Sequence, residues 1–201
     1  MEETELDKNW HYAHWTFRTG TRTFEGVEMM ISNMISNFKE VTSHSCGSFS
    51  TTKDLVARNA ISDIAIVMSY SLLEGFFHEE YEFYVKNEKR KKPKELSALI
   101  NTLLHDRQVS LKEWRKRRKV IDLVRVLRNA VVHSNGIIES DFDKEKCEEL
   151  LGEDVFESSD HYPRLSLSRS LHLVREFKGI ADEYAEAVFI RPNNALQRTS
   201  R

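Results

Sequence analysis

The stretch Val120 to Gly136, VIDLVRVLRNAVVHSNG, decides how the chain is read. Val120, Leu123, Val124, Leu127 and Val131 recur at three- and four-residue spacing and lie within about 100° of one another on a helical wheel, which makes them a core-facing stripe. Asn129 and His133 are four apart on the opposite side, where an amide can hydrogen-bond one imidazole nitrogen and fix its tautomer. Arg128 and His133 are five apart, about 140° around the helix and roughly 7.5 Å along its axis. One straight helix therefore cannot bring both onto one small group. Two copies facing each other across a twofold axis can line a common cleft with both pairs. Asn135-Gly136 ends the helix.

Upstream, Leu111 to Lys119 (LKEWRKRRK) supplies the basic first turns of the same helix. Trp114 among Arg115, Arg117 and Arg118 has the aromatic-plus-basic composition used on nucleic-acid backbones and bases. The plainer alternative is that Trp114 anchors the helix start in the core while the cations face water. A second charge run, Lys86 to Lys94 (KNEKRKKPK), holds Lys89, Arg90, Lys91 and Lys92 and is closed by Pro93, as expected of a solvated loop. Between Lys86 and Arg128 there are 15 Lys/Arg and 5 Asp/Glu, in a chain whose net charge is only −2. That asymmetry suits an anionic partner, with RNA as the candidate, or docking onto the protein's own acidic flanks.

The remaining periodicity is helical throughout. Phe24, Val27, Met30, Ile31, Met34, Ile35 and Phe38 predict a helix over 23–38, and a long central helix follows over 53–86. On the latter, Ile61, Ile64, Ala65, Met68, Leu72, Phe76 and Tyr84 mark one face, and Val67, Leu73, Phe77 and Tyr81 widen it. Glu74 sits inside its apolar run SYSLLEGFF, where a carboxylate needs a cation or a wet edge. It is read either as an exposed face residue or as a supporting group near the site. Short helices are expected over 95–104 and 141–151, and a last amphipathic helix over 168–189, capped by Ser168 or Ser170. With 7 Gly, 3 Pro, 40% apolar and 31% charged residues, the chain reads as all-α: a bundle of four main helices with short helical insertions. The expected organisation is one domain over 23–190 with a basic insertion at 86–119, an aromatic arm over 1–22 and a disordered tail over 191–201. The arm, with Trp10, His11, Tyr12, His14, Trp15 and Phe17, packs against the body or stacks on a base.

Other chemistries find little support. Cys46 and Cys147 allow at most one disulfide, and no Cys/His clustering suggests a metal or a cofactor. His11 and His14 lack partners spaced to complete a site, and His78, His105, His161 and His172 are isolated. The N-terminus MEETELDKNW is acidic where a secretion signal is basic and then apolar, and no unbroken apolar run approaches the roughly 18 residues of a membrane span. A cytoplasmic protein without a membrane segment is expected.

RNAVVH at 128–133 resembles the R-x4-6-H motif of HEPN domains (higher eukaryotes and prokaryotes nucleotide-binding), and SYSLLEGFFHEEY looks like that family's first core helix. The resemblance spans roughly Leu55 to Phe189 as a helical layout; the aromatic arm and the insertion at 86–119 depart from the best-understood toxin members. It implies a HEPN-like bundle, a homodimer with the motif helices facing each other, and a metal-independent endoribonuclease of toxin or defence type. Arg128 and His133 would be its catalytic pair, with Asn129 beside them. An imidazole can take the proton of a ribose 2′-hydroxyl while a guanidinium holds the phosphate, giving cleavage through a 2′,3′-cyclic phosphate. The alternatives are a noncatalytic HEPN-like module that binds RNA, nucleotide or a partner protein, and a structural role in which Arg128 pairs with Glu74 and His133 merely finishes the helix. An antitoxin protein is an expected partner of the toxin reading. The tail RPNNALQRTSR resembles reading frames that run into the recombination site of an integron gene cassette.

Overall fold

A computed structural model describes residues 22–39, 52–85, 91–133, 148–150 and 164–190, and among these the chain is helical with no strand. Helix α1 covers residues 22–39. It is followed by α2 (Thr52–Val85), α3 (Leu96–Asp106), α4 (Trp114–His133) and α5 (Leu167–Ala185), which passes into a π-helical turn at Glu186–Ile190. The expected arm, the loop before α2, both cysteines, most of the 141–151 helix and the tail lie outside the described residues.

The central element is α2. Its 34 residues bury Ile61, Ala65, Ile66, Tyr70, Leu73, Phe76, Phe77 and Tyr81, so the packed surface is wider than one stripe, as a helix flanked on several sides requires. Asp54–Tyr84 is also long and apolar enough to cross a membrane by length and composition, a segment that a search for unbroken apolar runs does not find. Half of its most apolar window is buried inside the bundle. Tyr84 departs from the expected face and is 40% exposed. Its ring is a shelf for the Arg107 guanidinium, 3.9 Å from the centroid.

Helix α5 lies beside α2 and runs parallel to it. Near the start of both, the Leu165 amide donates to Ser62 Oγ at 2.9 Å and Arg164 pairs with Asp63 at 3.0 Å. Near the end of both, Tyr184 Oη donates to Glu80 at 3.1 Å. Phe76, Phe77 and Tyr184 meet edge to face there, with centroids 5.0 to 6.2 Å apart, the arrangement that ring quadrupoles favour. Helix α1 runs antiparallel to α5, burying Phe24, Val27, Ile31 and Ile35 while Glu25 and Glu28 pair with Lys178 and Arg175. The cap of α5 is Ser166, not Ser168 or Ser170: Ser166 Oγ accepts from the Arg169 amide at 3.4 Å, whereas Ser170 is turned inward and fully buried.

The connection from α3 to α4 is a compact turn in which Gln108 and Glu113 adopt positive φ. Consequently α4 begins at Trp114 and not at Leu111. It runs antiparallel to α3: Trp114 Nε1 donates to Asn101 at 3.3 Å and Arg125 pairs with Glu95 at 3.5 Å. Its buried residues are Val120, Ile121, Val124, Leu127 and Ala130. Leu123 and Val131, expected in the core, are only half-buried, because α4 is rotated so that Ile121 enters the core.

Candidate functional site

The packing of α4 fixes what its last two turns present. With Val124 and Leu127 held inside, Asn129 and His133 must face outward, and both are exposed. Arg128 lies at the inner edge, half-buried. Its Nη1 donates to Asn129 Oδ1 at 3.1 Å, and its Nε is buried without a hydrogen-bond partner. The helix continues unbroken to His133, so the offset of about 140° between Arg128 and His133 persists. Within one copy, the arrangement holds an arginine by its neighbouring amide and displays a histidine separately.

Glu74, on α2, is half-buried. Among the described residues no ion pair joins it to Arg128, the pairing that the structural alternative called for. Tyr70, one turn before Glu74 and buried, lies within the electrostatic reach of both. Burial, reinforced by the Glu74 and Asp122 carboxylates against the opposing guanidinium groups of Arg125 and Arg128, pushes the Tyr70 phenol up to about 12. The seam between α2 and α4 thus groups Tyr70, Glu74, Asp122, Arg125 and Arg128. Glu74 also acts on His78, whose imidazole is held below its ordinary value by burial and by Lys92. Tyr70 and Arg125 escaped the sequence reading, although the spacings 70–74 and 125–128 place them on the relevant faces.

The basic residues divide into two groups. Lys92 pairs with Glu82 and lies over the Tyr81 ring at 5.8 Å. Arg117 pairs with Glu183 of α5. Burial raises the Glu183 carboxyl, but the Lys112 amide and Arg117 outweigh it and hold it low. Arg118 faces Asp122 at 3.9 Å, one turn on. Trp114 is half-buried with its indole N–H bound to Asn101, as its anchoring role predicts. Docking onto the protein's own acidic residues therefore accounts for part of the charge asymmetry. Lys91 and Arg115 are exposed, while Lys89 and Arg90 lie outside the described residues.

A separate buried cluster had no counterpart in the sequence reading. Glu80 is 0% exposed, paired with Arg107 and bonded by Tyr184. Burial pushes its carboxyl up, against the lowering effect of Arg107 and the Tyr184 hydrogen bond. Its place on the face of Leu73, Phe77 and Tyr81 is the signal that could have found it. Among the described residues no group of three or more His, Cys, Asp or Glu side chains is arranged to hold a metal ion. Comparison of the chain with protein-family models, curated proteins and solved structures found no match.

Proposed function

We propose that the protein is a HEPN-like, metal-independent endoribonuclease of toxin or defence type, acting in the cytoplasm as a homodimer whose two α4 helices meet at a shared cleft. The observation that carries this reading is the outward face of α4. Asn129 and His133 are exposed there, beside Val126 and Val132, which are 41% and 46% exposed. Two apolar side chains beside a displayed imidazole suit a surface that a second copy covers. In the dimer the shared cleft receives imidazoles and guanidinium groups from both copies. One imidazole takes the 2′-hydroxyl proton, the guanidinium carries the growing phosphate charge, and the second imidazole protonates the departing 5′-oxygen.

The test is cleavage of RNA in EDTA by the wild type and by His133→Ala and Arg128→Ala. Loss of a proton-transferring group typically costs about 10²- to 10⁴-fold and loss of an electrostatic stabiliser about 10²- to 10³-fold, so His133→Ala and Arg128→Ala should fall by about those respective factors. A dimeric wild type that leaves RNA intact would assign α4 instead to a noncatalytic binding module. Cleavage that persists in both variants would put the active site elsewhere.

A further inference from the structure

We propose that the outward line of α4 from Arg115 through Lys119 to His133 is the track of a single-stranded RNA, with Arg115 and Lys119 holding phosphates several nucleotides from the bond cut at His133. The inference rests on the ribonuclease reading and adds to it the path of the substrate. Arg115, Lys119, Val126, Asn129 and His133 fall within about 40° of one line along the helix, and all five are exposed. Asp122 interrupts the line, half-buried and with its charge met by Arg118 at 3.9 Å.

Ion pairing separates the cations of this segment by task. Arg117 and Lys92 are engaged by Glu183 and Glu82. Arg115, Lys116 and Lys119 are exposed, and among the described residues no ion pair engages them. Folding does not favour their position. The first turn of a helix carries the positive end of its dipole and suits Asp or Glu, yet α4 opens with WRKRRK and has no acidic residue in its first turn. Cations crowded there repel the dipole and each other, and a polyanion relieves both.

The chemistry at the end of the line selects the polyanion. A cleavage pair that needs a 2′-hydroxyl calls for RNA, and in-line attack of that hydroxyl on its own phosphate needs a nucleotide free to leave A-form geometry, which favours a single strand. Arg115 and His133 are 18 positions apart, about 27 Å, which about eight stacked nucleotides at about 3.4 Å cover and fewer extended ones. The same charge pattern sets the geometry of the dimer. The basic halves of two α4 helices repel, so the copies meet through Val132, about 100° off this line, with Val126 at the rim of the contact, and splay toward Arg115, leaving the track open.

The experiment uses the full chain carrying His133→Ala, an unstructured fluorescein-labelled RNA of about 16 nucleotides, and anisotropy over a salt series. Adding Arg115→Ala and Lys119→Ala together should weaken binding at least about tenfold and flatten the salt slope by about 1.4, near 0.7 for each phosphate no longer neutralised. Arg117→Ala should leave the slope unchanged. An unchanged slope in the double variant, an equal effect from Arg117→Ala, or binding of phosphatidylserine vesicles in place of RNA would overturn the track. Cleavage separates this outcome from the nuclease reading. RNA binding that depends on Arg115 and Lys119 in a wild type that cuts nothing keeps the track and ends the nuclease reading. Undiminished cleavage by the double variant, with unchanged binding, does the reverse.

Discussion

Arg107, at the end of α3, reaches Glu80 on the packed face of α2 near its end and closes an ion pair on a carboxylate that solvent does not touch. The guanidinium also lies over the Tyr84 ring, so it is held from two sides. Removing the cation leaves a buried carboxylate without its main compensation. Arg107→Ala should destabilise the fold by about 3–5 kcal/mol, read as a lowered midpoint in urea with an unchanged slope. A loss below about 1 kcal/mol would show that the pair is as weak as an exposed one.

The same carboxyl gives a pH dependence with a defined sign. Burial raises Glu80 above its ordinary range, so between the ordinary value and the raised one the folded state holds a proton that the unfolded chain has released. Stability attributable to Glu80 is therefore full below the ordinary carboxylate value and falls as pH rises through that interval. Glu80→Gln should remove that fall, making the decline of unfolding free energy above about pH 4.5 shallower than in the wild type. Parallel pH profiles for the two proteins would contradict the assignment.

Gly75 interrupts α2 on its exposed side, and a Cβ built there meets nothing within 4 Å. Alanine loses less backbone entropy on folding, so Gly75→Ala should stabilise the protein by about 0.4–1 kcal/mol, visible as a higher thermal midpoint. A lower midpoint would mean that the open space is occupied by something packed against α2 in solution.

Val132 provides a test of self-association that does not touch Arg128 or His133. Val132→Lys sets a cation of each copy against the other where two α4 helices are proposed to meet, while leaving the core of each copy and the line of the RNA intact. Sedimentation should show a dimer for the wild type and a monomer for the variant, and RNA cleavage should fall with the dimer. A variant that is monomeric yet fully active would remove the shared cleft from the mechanism.

The helical architecture was legible because the apolar residues of α1, α2, α4 and α5 recur at three and four, a period that survives packing. The outward display of Asn129 and His133 was legible for the same reason, since the buried positions of α4 fix the opposite face. The polar ties were not. Glu80 and Arg107 are 27 positions apart, and Arg117 finds Glu183 66 positions away, so no local pattern announces either pair. Composition marked the whole of 86–119 as one basic segment, but only the tertiary fold distinguishes Arg117 and Lys92, held by Glu183 and Glu82, from Arg115 and Lys119. The rotation of α4 that admits Ile121 and releases Leu123 is likewise set by tertiary packing and not by the local pattern.

The parallel pair α2 and α5 is fastened at Ser62–Leu165 and Asp63–Arg164 near one end and at Glu80–Tyr184 near the other. From Ser62 to Glu80 is about 27 Å of helix. Apolar ridges alone tolerate sliding, because one row of leucines and isoleucines fits the next groove almost as well as its own. A slide of one turn, about 5.4 Å, would here strand a carboxylate and an amide in hydrocarbon at opposite ends of the same interface. The two fastenings act as index marks: they admit one axial setting of the helices, and through it one position for α4 and the histidine at its tip.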